Sequence, residues 1–268
     1  MFKKILFFCL PICAWTHGMI YLPKGITFTD AKKYASQKKV IIGYDVHDVL
    51  VRKDKLSKFK TVIKHMPTII GSKITDGKMW NEINQVRKTG ASGQAYAEKF
   101  KKYGYSSLAK MAQESANGYK PRKGIATLVH EMKLLGYTQR FASNIGDIFL
   151  TSLSNKLKTK YHIHMLDMIE PGKVVDYSQY GKSPLPKPLP KHLASQPKPH
   201  PIFYQEFIDA WNATLENLMI FIDDKLENVK AAVTKGFIGI HVNAKLDDAQ
   251  FVKQLRTAFQ SLGLYDTK

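Results

Sequence analysis

Two short runs, VIIGY at residues 40–44 and LMIFI at 218–222, carry no charge and no helical period. Each ends on aspartate, Asp45 after the first and Asp223 with Asp224 after the second. Apolar, β-branched runs of this length fit strands buried on both faces, the condition of a parallel sheet covered by helices. Parallel strands need long crossovers between them, and the sequence supplies these. KGIATLVHEMKLLGY has apolar residues at helical spacing and closes at Gly136, TQRFAS reads as a strand, and a helix follows from Gly146 to about Lys156 before the apolar run IHMLDMI. Beyond LMIFI come a helix in KLENVKAAVTKG, a strand in FIGIHV and a last helix in LDDAQFVKQLRTAFQSL before Gly263. The alternation predicts an α/β fold, a Rossmann-like three-layer sandwich around a central parallel sheet.

Residues 51–120 break the alternation. DGKMWNEINQVRKT, SGQAYAEKFKKYG and YSSLAKMAQESAN each space their apolar residues for a helix, with Gly104 and Asn117 placed to end two of them. This is a helical insertion into an α/β core formed by residues 19–50 and 121–268. Within the core, residues 181–201 hold seven of the twelve prolines. That favours an extended surface loop.

The N-terminus has the three-part form of a signal peptide: Lys3 and Lys4, an apolar stretch from Ile5 to Trp15, then small residues at Ala14, Thr16 and Gly18. The apolar stretch is too short to span a bilayer as a helix. Residues 1–18 are therefore expected to direct export to a periplasmic or secreted location, and the chain would stay cytoplasmic if they are not processed. Both cysteines, Cys9 and Cys13, lie in this segment, so the remaining chain has neither a disulfide framework nor a thiolate metal site.

Lys and Arg total 41 against 22 Asp and Glu, a net charge of +19. Such a balance draws anionic partners, or reflects lysines on solvated faces. The lysines are scattered, and no RNP, zinc-finger or helix-turn-helix pattern is present, so nucleic acid is not the expected partner.

In a doubly wound sheet ligands sit at the carboxyl ends of the strands. The polar groups at those positions are Asp45, then Ser143 and Asn144 after QRFA, then Asp223 and Asp224, with Lys198 in the loop SQPKPHPIFY ahead of the last strand. With these residues in this order the chain resembles the haloacid dehalogenase-like (HAD) hydrolase superfamily. YDVHDVL resembles its first motif, LLGYTQRFASN its second, KPHPIFY its third and IFIDDKLENVKAA its fourth, over residues 39–243.

The resemblance implies a helical cap at 51–120 closing over the site, a small phosphorylated substrate, and Mg²⁺ held by Asp45, the backbone carbonyl of His47, Asp223 and Asp224. Asp45 would attack phosphorus and form an aspartyl-phosphate. Ser143 and Asn144 would bind the phosphoryl group, and Lys198 would supply positive charge to it. Plainer roles stay open. Ser143 could cap the following helix, Lys182, Lys187 and Lys191 rival Lys198, and Asp223 could be a simple loop acid, with Asp224 aligning best to the essential position.

One position departs from the family. Two residues past the nucleophile its phosphatases carry an Asp that shuttles the proton, followed by Gly; here stand His47 and Asp48. A histidine suits proton transfer near neutral pH, so His47 in the acid/base role is the leading reading. The alternatives are a catalytically weak metal- or phosphate-binding regulatory protein, and a dehalogenase- or phosphonate-type chemistry, of which the acidic pair argues against the metal-free dehalogenase. Asp48 would point away from the site if the strand continued through it. The oligomeric state is not legible.

Overall fold

The computed structural model describes residues 19–88, 93–114, 118–144, 147–169, 198–210 and 217–265. The signal-like segment 1–18, Asn117, Gly146 and the proline-rich stretch up to residue 197 lie outside them.

The core sheet has five strands: β1 (Met19–Tyr21), β2 (Val40–Tyr44), β5 (Thr138–Phe141), β6 (Leu218–Asp223) and β7 (Ile238–His241), in the spatial order β1-β7-β6-β2-β5. β5, β2, β6 and β7 are parallel, and β1 closes one edge antiparallel to β7. The sheet is thus mixed rather than wholly parallel. Three residues of β1 are too few to show a period, and they follow directly on the signal-like segment.

Alternation along the strands assigns the two faces. Val40, Ile42 and Tyr44 of β2 and Leu218, Ile220 and Ile222 of β6 join one apolar cluster. That cluster also takes in α1 (Phe28–Ser36), α6 (Ile125–Leu134), α7 (Asp147–Tyr161) and α11 (Asp248–Ser261). Ile41, Met219 and Phe221 point the other way, against α9 (Pro201–Ala210) and α10 (Leu226–Thr234). Three layers result, with period-2 strands buried on both sides. On the second face close approach requires glycine twice. A Cβ at Gly43 would lie 2.9 Å from the Phe207 ring, and one at Gly239 would lie 2.5 Å from Val229. The apolar run IHMLDMI contains α8 (Met165–Met168), a single helical turn packed against α6.

The chain runs from β2 to β5 on one side, then returns to β6 on the other side of β2. That reversal makes the carboxyl end of β2 the topological switch point, where a crevice opens between diverging crossovers. Asp45 stands there.

Between β2 and β5 lies the insertion: α2 (Lys55–Thr75), α3 (Gly77–Lys88), α4 (Gly93–Lys102) and α5 (Ser106–Gln113). It has a core of its own, built on Met79, Ile83, Ala97, Phe100 and Leu108. A two-stranded antiparallel ribbon carries it, β3 (Val51–Lys53) against β4 (Tyr119–Pro121), with Arg52 opposite Lys120. The ribbon corrects the purely helical reading of 51–120. Each of its strands is three residues long, again below the length at which alternation is visible.

Candidate active site

The register places the strand ends level. Tyr44 pairs with Phe141 on one side and Ile222 on the other, so the next residues, Asp45, Ala142 and Asp223, leave the sheet side by side. The ladder runs one step further. The Asp45 N–H donates to Ile222 O at 2.9 Å and the Ala142 N–H to Tyr44 O at 2.8 Å. The nucleophile candidate is therefore held by backbone bonds on one side while its side chain projects over the sheet edge.

Asp45, Ser143, Lys198 and Asp223 are all buried there. The Ser143 hydroxyl donates to Asp45 Oδ1 at 2.6 Å. Lys198 Nζ donates to Asp223 Oδ2 at 2.6 Å and to Ala142 O at 2.8 Å, and lies 3.0 Å from Asp45 Oδ1. One cation thus bridges two carboxylates from different strands. Burial alone would push the Lys198 ammonium down, but Asp223 and Asp45 together hold it above the usual lysine value. The backbone of Lys198 is fixed by Asn144, whose Oδ1 accepts from the Lys198 N–H at 3.1 Å. The Lys198–Pro199 peptide is cis. Asn144 therefore orients the lysine loop, a role the sequence did not reveal. Lys182, Lys187 and Lys191 lie outside the described residues.

Asp223 ends β6 and is fully buried. It accepts from Asn228 Nδ2 at 3.0 Å and from the Lys225 N–H at 2.9 Å, besides Lys198. Burial pushes its carboxyl up; Lys198 opposes that, and the neighbouring Asp45 adds to it. Asp224 is half-buried, and burial followed by the charges of Asp223 and Asp45 pushes it up to about 6. Carboxylate oxygens of Asp45, Asp223 and Asp224 lie within 4.8 Å of one another. Three acids against one lysine leave a negative, oxygen-lined position, which suits a hard divalent cation. Asn228 lies in the first turn of α10. Its side chain reaches back to Asp223, and its carbonyl accepts from the buried Tyr204 hydroxyl at 2.7 Å.

His47 and Asp48 lie where the strand stops. The chain turns after Asp45, and Asp48 takes the left-handed conformation at φ +61°. This explains the glycine usual at that position, and aspartate is among the few other residues that adopt it readily. The premise of a continuing strand is thus overturned. Asp48 lies 3.7 Å from Lys53 on β3. The His47 ring stacks on Tyr119 of β4, centroids 4.6 Å apart. Burial pushes its pKa down to about 4 despite Asp48 nearby.

One buried group had no counterpart in the sequence reading. Arg122, just after β4, donates to the carbonyls of Asp48 (3.1 Å), Ala244 (2.7 Å) and Leu246 (3.3 Å). It also lies 3.4 Å from Asp248 Oδ1 and 4.0 Å over the Phe251 ring. Asp248 pairs with Arg52 of β3 at 3.1 Å as well.

No protein-family model and no curated protein matches the sequence. Solved structures do match. A HAD family enzyme from Bacteroides thetaiotaomicron is similar over 77% of this chain and 94% of its own, with a TM-score of 0.54 at 15% identity. An aspartate-to-alanine variant of that enzyme, in complex with magnesium and inorganic phosphate, gives a TM-score of 0.53 at 14% identity over 77% of this chain and 95% of that one. A predicted HAD-like family hydrolase from Porphyromonas gingivalis covers 80% of this chain and 96% of its own, with a TM-score of 0.53 at 15% identity.

Proposed function

We propose that this chain, which has the haloacid dehalogenase-like fold, is a Mg²⁺-dependent phosphatase acting on a small phosphomonoester. The observation that carries the reading is the convergence of Asp45, Ser143, Lys198 and Asp223 on one buried point at the switch of the sheet. The magnesium and phosphate complex of the structural neighbour supports it. Asp45, Asp223, Asp224 and the His47 carbonyl would hold the ion, which when bound supplies positive charge to the phosphoryl oxygens.

The side chains then divide the work. Among the described residues both side-chain contacts to the Asp45 carboxylate fall on Oδ1, which leaves Oδ2 as the attacking atom. The bond from Oδ2 to phosphorus forms as the ester bond breaks, and the leaving oxygen takes a proton. Water then attacks phosphorus, releases phosphate and restores the Asp45 carboxylate. Lys198 offsets the charge of Asp45 and Asp223 and screens the incoming phosphoryl group. Ser143, freed from Asp45, donates to a phosphoryl oxygen. The His47 imidazole, held neutral by burial, would take up a proton once a phosphoryl dianion lies beside it, pass it to the leaving oxygen and later take one from water.

Hydrolysis of p-nitrophenyl phosphate by the purified chain should require Mg²⁺, stop with EDTA and return when Mg²⁺ is restored. Mg²⁺ binding without turnover on any phosphomonoester would favour a binding protein instead. For the proton role, His47→Ala should cost about 10²- to 10⁴-fold with an alkyl phosphate. It should cost far less with p-nitrophenyl phosphate, whose leaving group needs no proton. Equal losses on both substrates would remove His47 from that role.

A further inference from the structure

α2 carries Leu56, Phe59, Ile63, Met66 and Ile70 between 38% and 63% exposed. Their spacing of three, four, three and four residues puts all five on one face, opposite the buried His65 and Ser72 that turn toward the rest of the insertion. From Leu56 to Ile70 the stripe runs about 21 Å. Lone exposed apolar residues are ordinary, but a continuous stripe marks a contact surface.

The charge beside the stripe is mainly positive, Lys64 being paired with Glu114 at 3.6 Å. α2 contains five lysines and no acid. Lys60, one residue beyond Phe59, also lines a polar groove of about 510 Å³ between α2 and α7, together with Lys156, Lys160, Ser152, Asn155 and Thr159. With Thr61, three cations and four neutral hydrogen-bonding side chains therefore line the groove beside the apolar face.

These features discriminate among occupants. A stripe of this length exceeds the reach of a small phosphorylated substrate. A second copy would bring lysines against lysines, between two chains that each carry +19. An anionic bilayer satisfies both halves, taking apolar side chains among its acyl chains and lysines among its phosphates. No helix of the described residues is long and apolar enough to cross a membrane. We propose that α2 lies in the headgroup layer of an anionic lipid membrane, with its Leu56–Ile70 face buried in the acyl boundary and lipid phosphates in the lysine groove beside it.

Co-sedimentation of the full chain with phosphatidylglycerol-containing vesicles, against pure phosphatidylcholine vesicles, tests this independently of the phosphatase reading. Binding should favour the anionic vesicles and weaken with added salt. Phe59→Ser combined with Ile63→Ser should weaken it by at least about tenfold relative to the parent chain. Comparison with the parent removes any contribution of residues 1–18. Lys60→Glu combined with Lys160→Glu should also weaken it, with the apolar face intact. All four positions are on the surface, and a thermal melt verifies that the variants fold. Three results would overturn the proposal. One is equal vesicle binding by parent and variants. The second is a parent dimer that the serine variant abolishes. The third is a raised KM with vesicle binding unchanged, which would place the stripe against substrate.

Discussion

Asp45→Asn should leave a folded protein that no longer turns over substrate, with kcat on p-nitrophenyl phosphate down by at least about 10³-fold. The substitution keeps the shape of the side chain, and an amide oxygen still accepts from Ser143 and Lys198. What it removes is the nucleophilic carboxylate. It also removes one negative charge from a site where Asp223 and Asp224 are already crowded, so the melting temperature should hold or rise. Parallel kinetics and a thermal melt separate the two effects. Full activity in this variant would show that Asp45 does not attack phosphorus.

Lys198→Met should fail differently. Methionine matches the length of the lysine stem and packs well in buried space, but it leaves Asp45 and Asp223 facing each other without a cation. Breaking one side of a buried ion pair costs about 3–5 kcal/mol, and loss of an electrostatic group aimed at the transition state costs about 10²- to 10³-fold in rate. Urea unfolding and kcat should thus both fall, whereas Asp45→Asn lowers the rate alone. A Lys198→Met protein as stable as the parent would mean that the two carboxylates do not depend on this lysine for their charge balance.

The parts of the fold that were legible share a property. VIIGY and LMIFI are buried on both faces, so their character is written in every residue, and the acids at their ends stand where the sheet delivers them. Ser143 and Lys198 were found because they keep a recognisable order with those acids. The remainder is held by contacts between residues far apart in the chain. Arg122 meets Ala244, Leu246 and Asp248, more than 120 residues away, mostly through backbone carbonyls that any residue would offer. Asn228 was visible only as a motif letter, because its bond to Asp223 depends on how α10 leaves the sheet. The ribbon and β1 are too short to announce themselves. The turn at Asp48 was missed because an apolar run with an aspartate inside it gives no sign of where extended backbone stops.

The double anchorage of the ribbon has a consequence for what this architecture tolerates. Arg52 on its outgoing strand and Arg122 beside its returning strand both terminate on Asp248. At the far end, Asp54 and Gly118 close the ribbon with a 2.7 Å bond. The four helices join the core through a neck whose base is tied to the first turn of α11. The same neck is a splice point: the 63 positions from 55 to 117 could be exchanged for another unit, and selectivity or surface attachment rebuilt, while the chemistry underneath stays as it is.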